Sequence, residues 1–143
     1  KGFYIKSILI THSHENHIRG VKTLLKIYDA QIYANSPFVY SIQPQRLFEN
    51  RIHTISGFPV EVFEIQWHSS DSLVYRIENL LFTGDVFFSG RIGSTPNSYA
   101  KNLLINSIIK KICLLPDQTL IFPGHGPPTT LEAEKKFNPY FIS

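Results

Sequence analysis

The sequence contains no methionine, one cysteine, one tryptophan and only 17% charged residues among 143. A lone cysteine excludes an internal disulfide. Cys113 lies among Ile112, Leu114 and Leu115, so it reads as a core thiol rather than a nucleophile. One unpaired thiol is compatible with a cytoplasmic location, which is the expected compartment. Because Lys1 is not an initiator methionine, further residues, including strands, are expected upstream of it. No apolar run approaches the roughly 20 residues of a membrane span, and the start does not have the shape of a signal peptide, so no membrane partner is expected. Blocks of like charge are missing too. The net charge is +3, but its basic residues are scattered, and the pairs Lys110-Lys111 and Lys135-Lys136 fall on expected helices as solvated faces. Nucleic acid is therefore not an expected partner. Nothing in the sequence specifies an oligomeric state.

A hydrophobic content of 43% is enough for one packed domain over residues 1–143, and the length is too short for two. Ser7 to Ile10, Gln31 to Ala34, Val60 to Trp67 and Thr119 to Phe122 are short apolar or β-branched runs that read as strands. Leu73 to Ile77 and Leu80 to Thr83 read as a hairpin turning at Glu78-Asn79. Ile18, Val21, Leu24, Leu25 and Tyr28 recur at helical spacing, as do Leu103, Leu104, Ile108 and Ile112 within a helix expected over Asn97 to Leu114. Ser36-Pro37 reads as a helix start, and Thr129 with Glu132 as a capping box for a last helix. Gln43 to Ile55 is ambiguous. Strands and helices in mixed order imply a layered α/β domain.

Six histidines are present, and three of them fall within THSHENH, residues Thr11 to His17. His12, His14 and His17 follow one expected strand, His68 another, and His125 a third, while Asp85 follows the second arm of the hairpin. Each lies just past the carboxyl end of a strand, where α/β sheets place their ligands. The hairpin supplies a geometric check: His68 precedes its first arm and Asp85 follows its second, so both belong at the end opposite the turn. Only His53 stands apart, and a surface or hydrogen-bonded structural role is its expected one. Imidazole and carboxylate together suit zinc, and also iron or manganese. His12 and His14 alternate in an extended loop and can face one ion, whereas His17 comes after a bend and can face a second.

These motifs resemble the metallo-β-lactamase superfamily, and within it the glyoxalase II-like (hydroxyacylglutathione hydrolase-like) hydrolases. The superfamily's H-x-H-x-D-H is matched by His12-Ser13-His14-Glu15-Asn16-His17, its second-motif histidine by His68, its bridging aspartate by Asp85 in TGD and its last histidine by His125 in FPGHGPPTT. The resemblance implies an αββα sandwich, here lacking N-terminal strands because one strand precedes the first motif. It implies a first metal site of His12, His14, His68 and Asp85, and a second of His17, His125 and Asp85, holding one or two zinc ions. Position 16 departs from the pattern: Asn16 stands where the family carries a catalytic aspartate, which weakens the second site and removes a proton acceptor. The arginine expected after TGD is replaced by Ser94, and there is no room for the helical glutathione domain of longer relatives.

The implied activity is hydrolysis of a small acyl thioester or related ester by metal-bound hydroxide, since a metal lowers the pKa of bound water toward about 7. Two alternatives carry different chemistry. One is a mononuclear iron persulfide dioxygenase-like enzyme, which tolerates loss of a second-site ligand. The other is a low-activity metal-binding or interaction module. A nuclease is a weaker option, having no space for its usual extra domain.

Overall fold

The computed structural model describes residues 2–49 and 51–142. Its elements in chain order are β1 (Ser7–Leu9), α1 (Glu15–Ile18), α2 (Val21–Ile27), β2 (Gln31–Ala34), β3 (Gln45–Arg46), β4 (Ile52–Ile55), β5 (Phe58–Glu64), β6 (Leu73–Ile77), β7 (Leu80–Gly84), β8 (Phe87–Phe88), β9 (Arg91–Ile92), α3 (Ser98–Lys111), β10 (Leu120–Pro123), β11 (Thr129–Thr130) and α4 (Leu131–Phe137). A parallel sheet runs β1-β2-β3, and a mixed sheet runs β11-β10-β7-β6-β5-β4.

Side-chain alternation along the mixed sheet produces its two faces. Val60 and Val62 of β5, Leu73 and Tyr75 of β6, and Phe82 of β7 point toward Leu9 and Tyr33 of the parallel sheet. Their neighbours Phe63, Val74 and Leu81 point the other way, against Leu104 and Ile108 of α3 and Leu131 of α4. On the far side of the parallel sheet, Ile18 and Val21 of α1 and α2 pack on Ile32 and Ala34. Three apolar clusters therefore separate four layers: helices, sheet, sheet, helices. The expected αββα sandwich is the fold observed. The inter-sheet face is not fully covered. A cavity of about 310 Å³ is lined by Leu9, Thr11, Tyr75, Ile77 and Phe82, and Leu120 and Phe122 nearby are more than one-third exposed.

Several local expectations shift. The helix over Ile18 to Tyr28 is divided at Arg19-Gly20; Gly20, a poor interior helix residue, instead occupies the N-cap of α2. Ser36-Pro37 starts no helix. The Ser36 hydroxyl donates to the Phe38 carbonyl at 2.7 Å, competing with helix formation, and Val39 pairs with Ile42 across a tight turn. β5 starts earlier than Val60 because Ser56 and Gly57, both at positive φ, close a hairpin with β4, and it ends at Glu64 before Trp67 turns at φ 47°. The ambiguous stretch contributes β3 and β4. The last helix is capped by Thr130, whose hydroxyl accepts from the Ala133 amide, while Thr129 donates to Glu134.

Glu134 is a buried carboxylate fully engaged by Thr129, Asn138 and the Gly90 amide. It fixes the β8–β9 hairpin to α4. Lys111 pairs with Glu49, Lys135 with Asp117, and Lys136 with Glu132, so these helix cations have acidic neighbours. His53 bonds the Phe48 carbonyl at 3.2 Å. Cys113 packs half-buried against the α3–α4 core, and burial pushes its thiol pKa up. No helix among the described residues is long and apolar enough to cross a membrane.

Candidate metal centre

Three strand ends meet at one place. β7 and β10 are parallel neighbours, with Pro123 opposite Gly84, so Asp85 and His125 emerge side by side. β1 belongs to the other sheet, but its exit is tied to β6. The Tyr75 hydroxyl donates to the Ile10 carbonyl at 2.5 Å, and the Leu73 amide donates to the Thr11 carbonyl at 2.8 Å. The hairpin β6–β7 sets His68 and Asp85 at its open end, with His68 Nε2 3.6 Å from Asp85 Oδ2.

His12, His17, His68 and His125 each bring a ring nitrogen within 3.7 Å of an Asp85 oxygen, and His14 joins the cluster through His12 and His68 rather than through Asp85. One ligand nitrogen from each of His12, His14 and His68 lies within 4.8 Å of the others, and the same holds for His12, His17 and an Asp85 oxygen. Asp85 Oδ2 is 3.7 Å from His12 Nε2 and 3.1 Å from His17 Nε2, while Oδ1 accepts from His125 Nδ1 at 2.9 Å. The two carboxylate oxygens thus serve different sides of the cluster. Asn16 Nδ2 stands 3.4 Å from His125 Nε2 at the exposed edge.

This donor set fits a divalent metal. The Nε2 atoms of His12 and His68 are buried without a hydrogen-bond partner, an arrangement that costs about 1–3 kcal/mol for each group left unsatisfied. Both approach Asp85 Oδ2 at distances too long for a hydrogen bond. Ligand atoms held at 2.0–2.1 Å around a tetrahedral zinc stand roughly 3.4 Å apart, near the spacings seen here. The His68 tautomer suits the same role: its Nδ1 faces the Ser94 carbonyl at 2.9 Å and must donate, which leaves a lone pair on Nε2.

Electrostatics keep the cluster ready for a cation. Burial first, and then the neighbouring imidazoles His17, His68 and His14, lower the His12 pKa to about 4 against the opposing pull of Asp85. His12 is therefore neutral at pH 7. Burial opposes ionisation of Asp85, but His17 and His125 outweigh it and hold the carboxyl below its ordinary range.

Glycines make room for this crowding. A Cβ on Gly124 would lie 2.8 Å from both Asp85 Oδ1 and His17 Cε1, one on Gly93 would lie 1.8 Å from the Asp85 carbonyl, and one on Gly84 would strike Thr11. Sequence reading did not single these out, nor Phe88, whose ring meets His125 edge-on at 5.9 Å. It also passed over Asp71, which accepts from the Ser13 amide and the Ser69 hydroxyl. Burial opposes its ionisation, and those hydrogen bonds prevail and lower its pKa. Its partner Ser13 is 58 residues away, so local pattern carries no signal of the contact.

Comparison with known proteins agrees with this geometry. The chain is 28% identical to the hydroxyacylglutathione hydrolase GloC of Haemophilus influenzae, over 97% of this chain and 77% of that protein. It is 32% identical to the hydroxyacylglutathione hydrolase of Shewanella halifaxensis over 82% of this chain, and there it spans 46% of the relative's length. The crystal structure of BLEG-1, a B3 metallo-β-lactamase, superposes with a TM-score of 0.85 at 30% identity, covering 96% of this chain and 78% of that one. Residues 1–125 match the sequence profile of the metallo-β-lactamase superfamily, and with the histidine–aspartate cluster at the strand ends of an αββα sandwich, the chain belongs to that superfamily.

Proposed function

We propose that the chain is a metal-dependent hydrolase of small acyl thioesters, with zinc as its metal. The observation that carries this is the pair of buried, unpartnered nitrogens of His12 and His68, which cluster with a His14 nitrogen and both approach Asp85 Oδ2. Similarity to GloC over nearly the whole chain supports the thioester as substrate class. His12, His14, His68 and Asp85 would hold the first ion, and His17, His125 and Asp85 a second. A divalent ion there supplies a lowered pKa for water and polarisation of the substrate carbonyl.

The chain's own residues set the rest. Asp85 fixes the spacing between the two halves of the cluster through its two oxygens. Ser94, through its carbonyl, fixes the His68 tautomer. The His125 side chain is 49% exposed, so the substrate approaches from that side, along the edge of Phe88. Asn16 can orient water or substrate by hydrogen bonding, but its amide does not accept a proton as a carboxylate does.

Asn16 also favours a second reading, a single-iron enzyme oxidising a persulfide, because a neutral amide weakens only the second site. The test is metal content of purified protein combined with assays on an acyl-thioester panel and oxygen uptake with a persulfide. Zinc-dependent thioester cleavage is expected. Iron-dependent oxygen uptake without thioester cleavage selects the second reading.

A further inference from the structure

We infer that Asp71 is a positioning residue for the first metal site, clasping the loop of His12 and His14 to the loop of His68. The inference rests on reading those three histidines as metal ligands.

The Ser13 amide, between the two histidines, donates to Asp71 Oδ2 at 2.9 Å. The other oxygen, Oδ1, accepts from the hydroxyl of Ser69, the residue after His68, at 2.5 Å. One carboxylate therefore touches the immediate neighbours of all three histidines. It also continues a seam. Leu73 donates to Thr11, and Tyr75 donates to Ile10. Asp71 lies two residues before β6 begins, where no strand pairing continues, and its side chain supplies the acceptor that a paired strand would have offered to Ser13.

The need for such a clasp follows from topology. β1 and β6 belong to different sheets, so regular pairing between neighbouring strands does not set the distance between His14 and His68. Their ring centroids stand 5.0 Å apart. Metal sites tolerate displacements of only about 0.5 Å, and partners behind the ligands typically change metal affinity 10–100-fold when removed.

Two substitutions separate geometry from charge. Asp71→Ala removes both hydrogen bonds. Asp71→Asn can keep both, because its oxygen accepts from Ser13 and its amide donates to the Ser69 hydroxyl, which also serves as an acceptor. Zinc affinity is read by competition with a chromophoric chelator, coordination by the visible spectrum of the Co(II)-loaded protein, and folding of the metal-free protein by circular dichroism. Asp71→Ala is expected to weaken the tighter site 10–100-fold and to alter its Co(II) spectrum. Asp71→Asn is expected to stay within about threefold of wild type with an unchanged spectrum. Affinity of Asp71→Ala within twofold of wild type overturns the inference, as do equal losses in both variants, which would assign the effect to charge. If Asp71→Ala does not fold, Ser69→Ala frees one side of the clasp and is expected to lose affinity about threefold to tenfold; no loss overturns the inference. A wild-type protein without a tight zinc site overturns the ligand assignment itself, and this inference with it.

Discussion

Gly124→Ala isolates the packing of the centre from its ligands. The added Cβ would stand 2.8 Å from Asp85 Oδ1 and 2.8 Å from His17 Cε1, against the 3.4 Å at which ordinary contact begins. Each neighbour must retreat by about 0.6 Å, or the turn after β10 must move outward by a similar amount. Either displacement exceeds the roughly 0.5 Å that a metal site tolerates. Gly124 does not occupy the left-handed region, so alanine carries no backbone penalty there and removes some freedom from the unfolded chain, a gain of about 0.4–1 kcal/mol. The expected result is a 10–100-fold loss of zinc affinity, about 1.4–2.7 kcal/mol, together with a lowered metal-free melting temperature, because the added Cβ would also stand 3.1 Å from the Gly84 carbonyl carbon, and backbone yields less readily than a side chain. Gly126→Ala is the control. Gly126 sits at φ +81° with open space around its Cβ, so alanine should destabilise the fold by roughly 1–2 kcal/mol and leave zinc affinity alone. Chelator competition and thermal melts on both variants give the answer. If Gly124→Ala keeps wild-type zinc affinity, the crowding around Asp85 does not set the site and the reasoning fails.

Two more outcomes follow from the same cluster. Asn16→Asp should raise occupancy of the second site and thioester cleavage together, because a carboxylate adds charge and a proton acceptor beside His125; equal affinity for two zinc ions in the wild type would contradict it. Metal-free protein should lose stability on mild acidification, because His12 binds its proton at about 4 when folded and near 6.5 when unfolded. The contribution is fully present above pH 6.5 and disappears as pH falls toward 4, by up to about 3 kcal/mol. Urea melts across that window test it, and His12→Gln should flatten the dependence.

Strand and helix identity was legible wherever one face meets a core. Leu73 to Ile77 and Leu80 to Thr83 were readable because β-rich alternation flanks a two-residue turn, and Gln31 to Ala34 because Ile32 and Ala34 alternate with the more exposed Gln31 and Tyr33. The gathering of His12, His17, His68, His125 and Asp85 followed from their common position after strands. What stayed hidden depended on the choice of a hydrogen-bond partner. Ser36 has the residue type of an N-cap but gives its hydroxyl to Phe38. Thr129 and Thr130 are the same residue, and only the path of the chain decides which one caps α4. Asp71 lies three residues after His68, yet its partner Ser13 comes from the loop after β1, a strand of the other sheet. The glycines around Asp85 are ordinary turn residues until three strand ends are brought together.

Among the described residues, Asp85 is the single carboxylate of the side chains that meet at this centre; the five histidines and Asn16 bring no formal negative charge when neutral. Any divalent ion held there is therefore under-neutralised, and a second ion more so. The remaining positive potential must be balanced from outside the protein, by an anion drawn from solvent or by the substrate itself. Binding should then favour molecules that carry negative charge near the reacting carbonyl, and their capture should weaken as salt screens the field over a Debye length of about 8–10 Å. By substituting an amide for a carboxylate at position 16, the chain leaves more of the attraction for its ligand to satisfy.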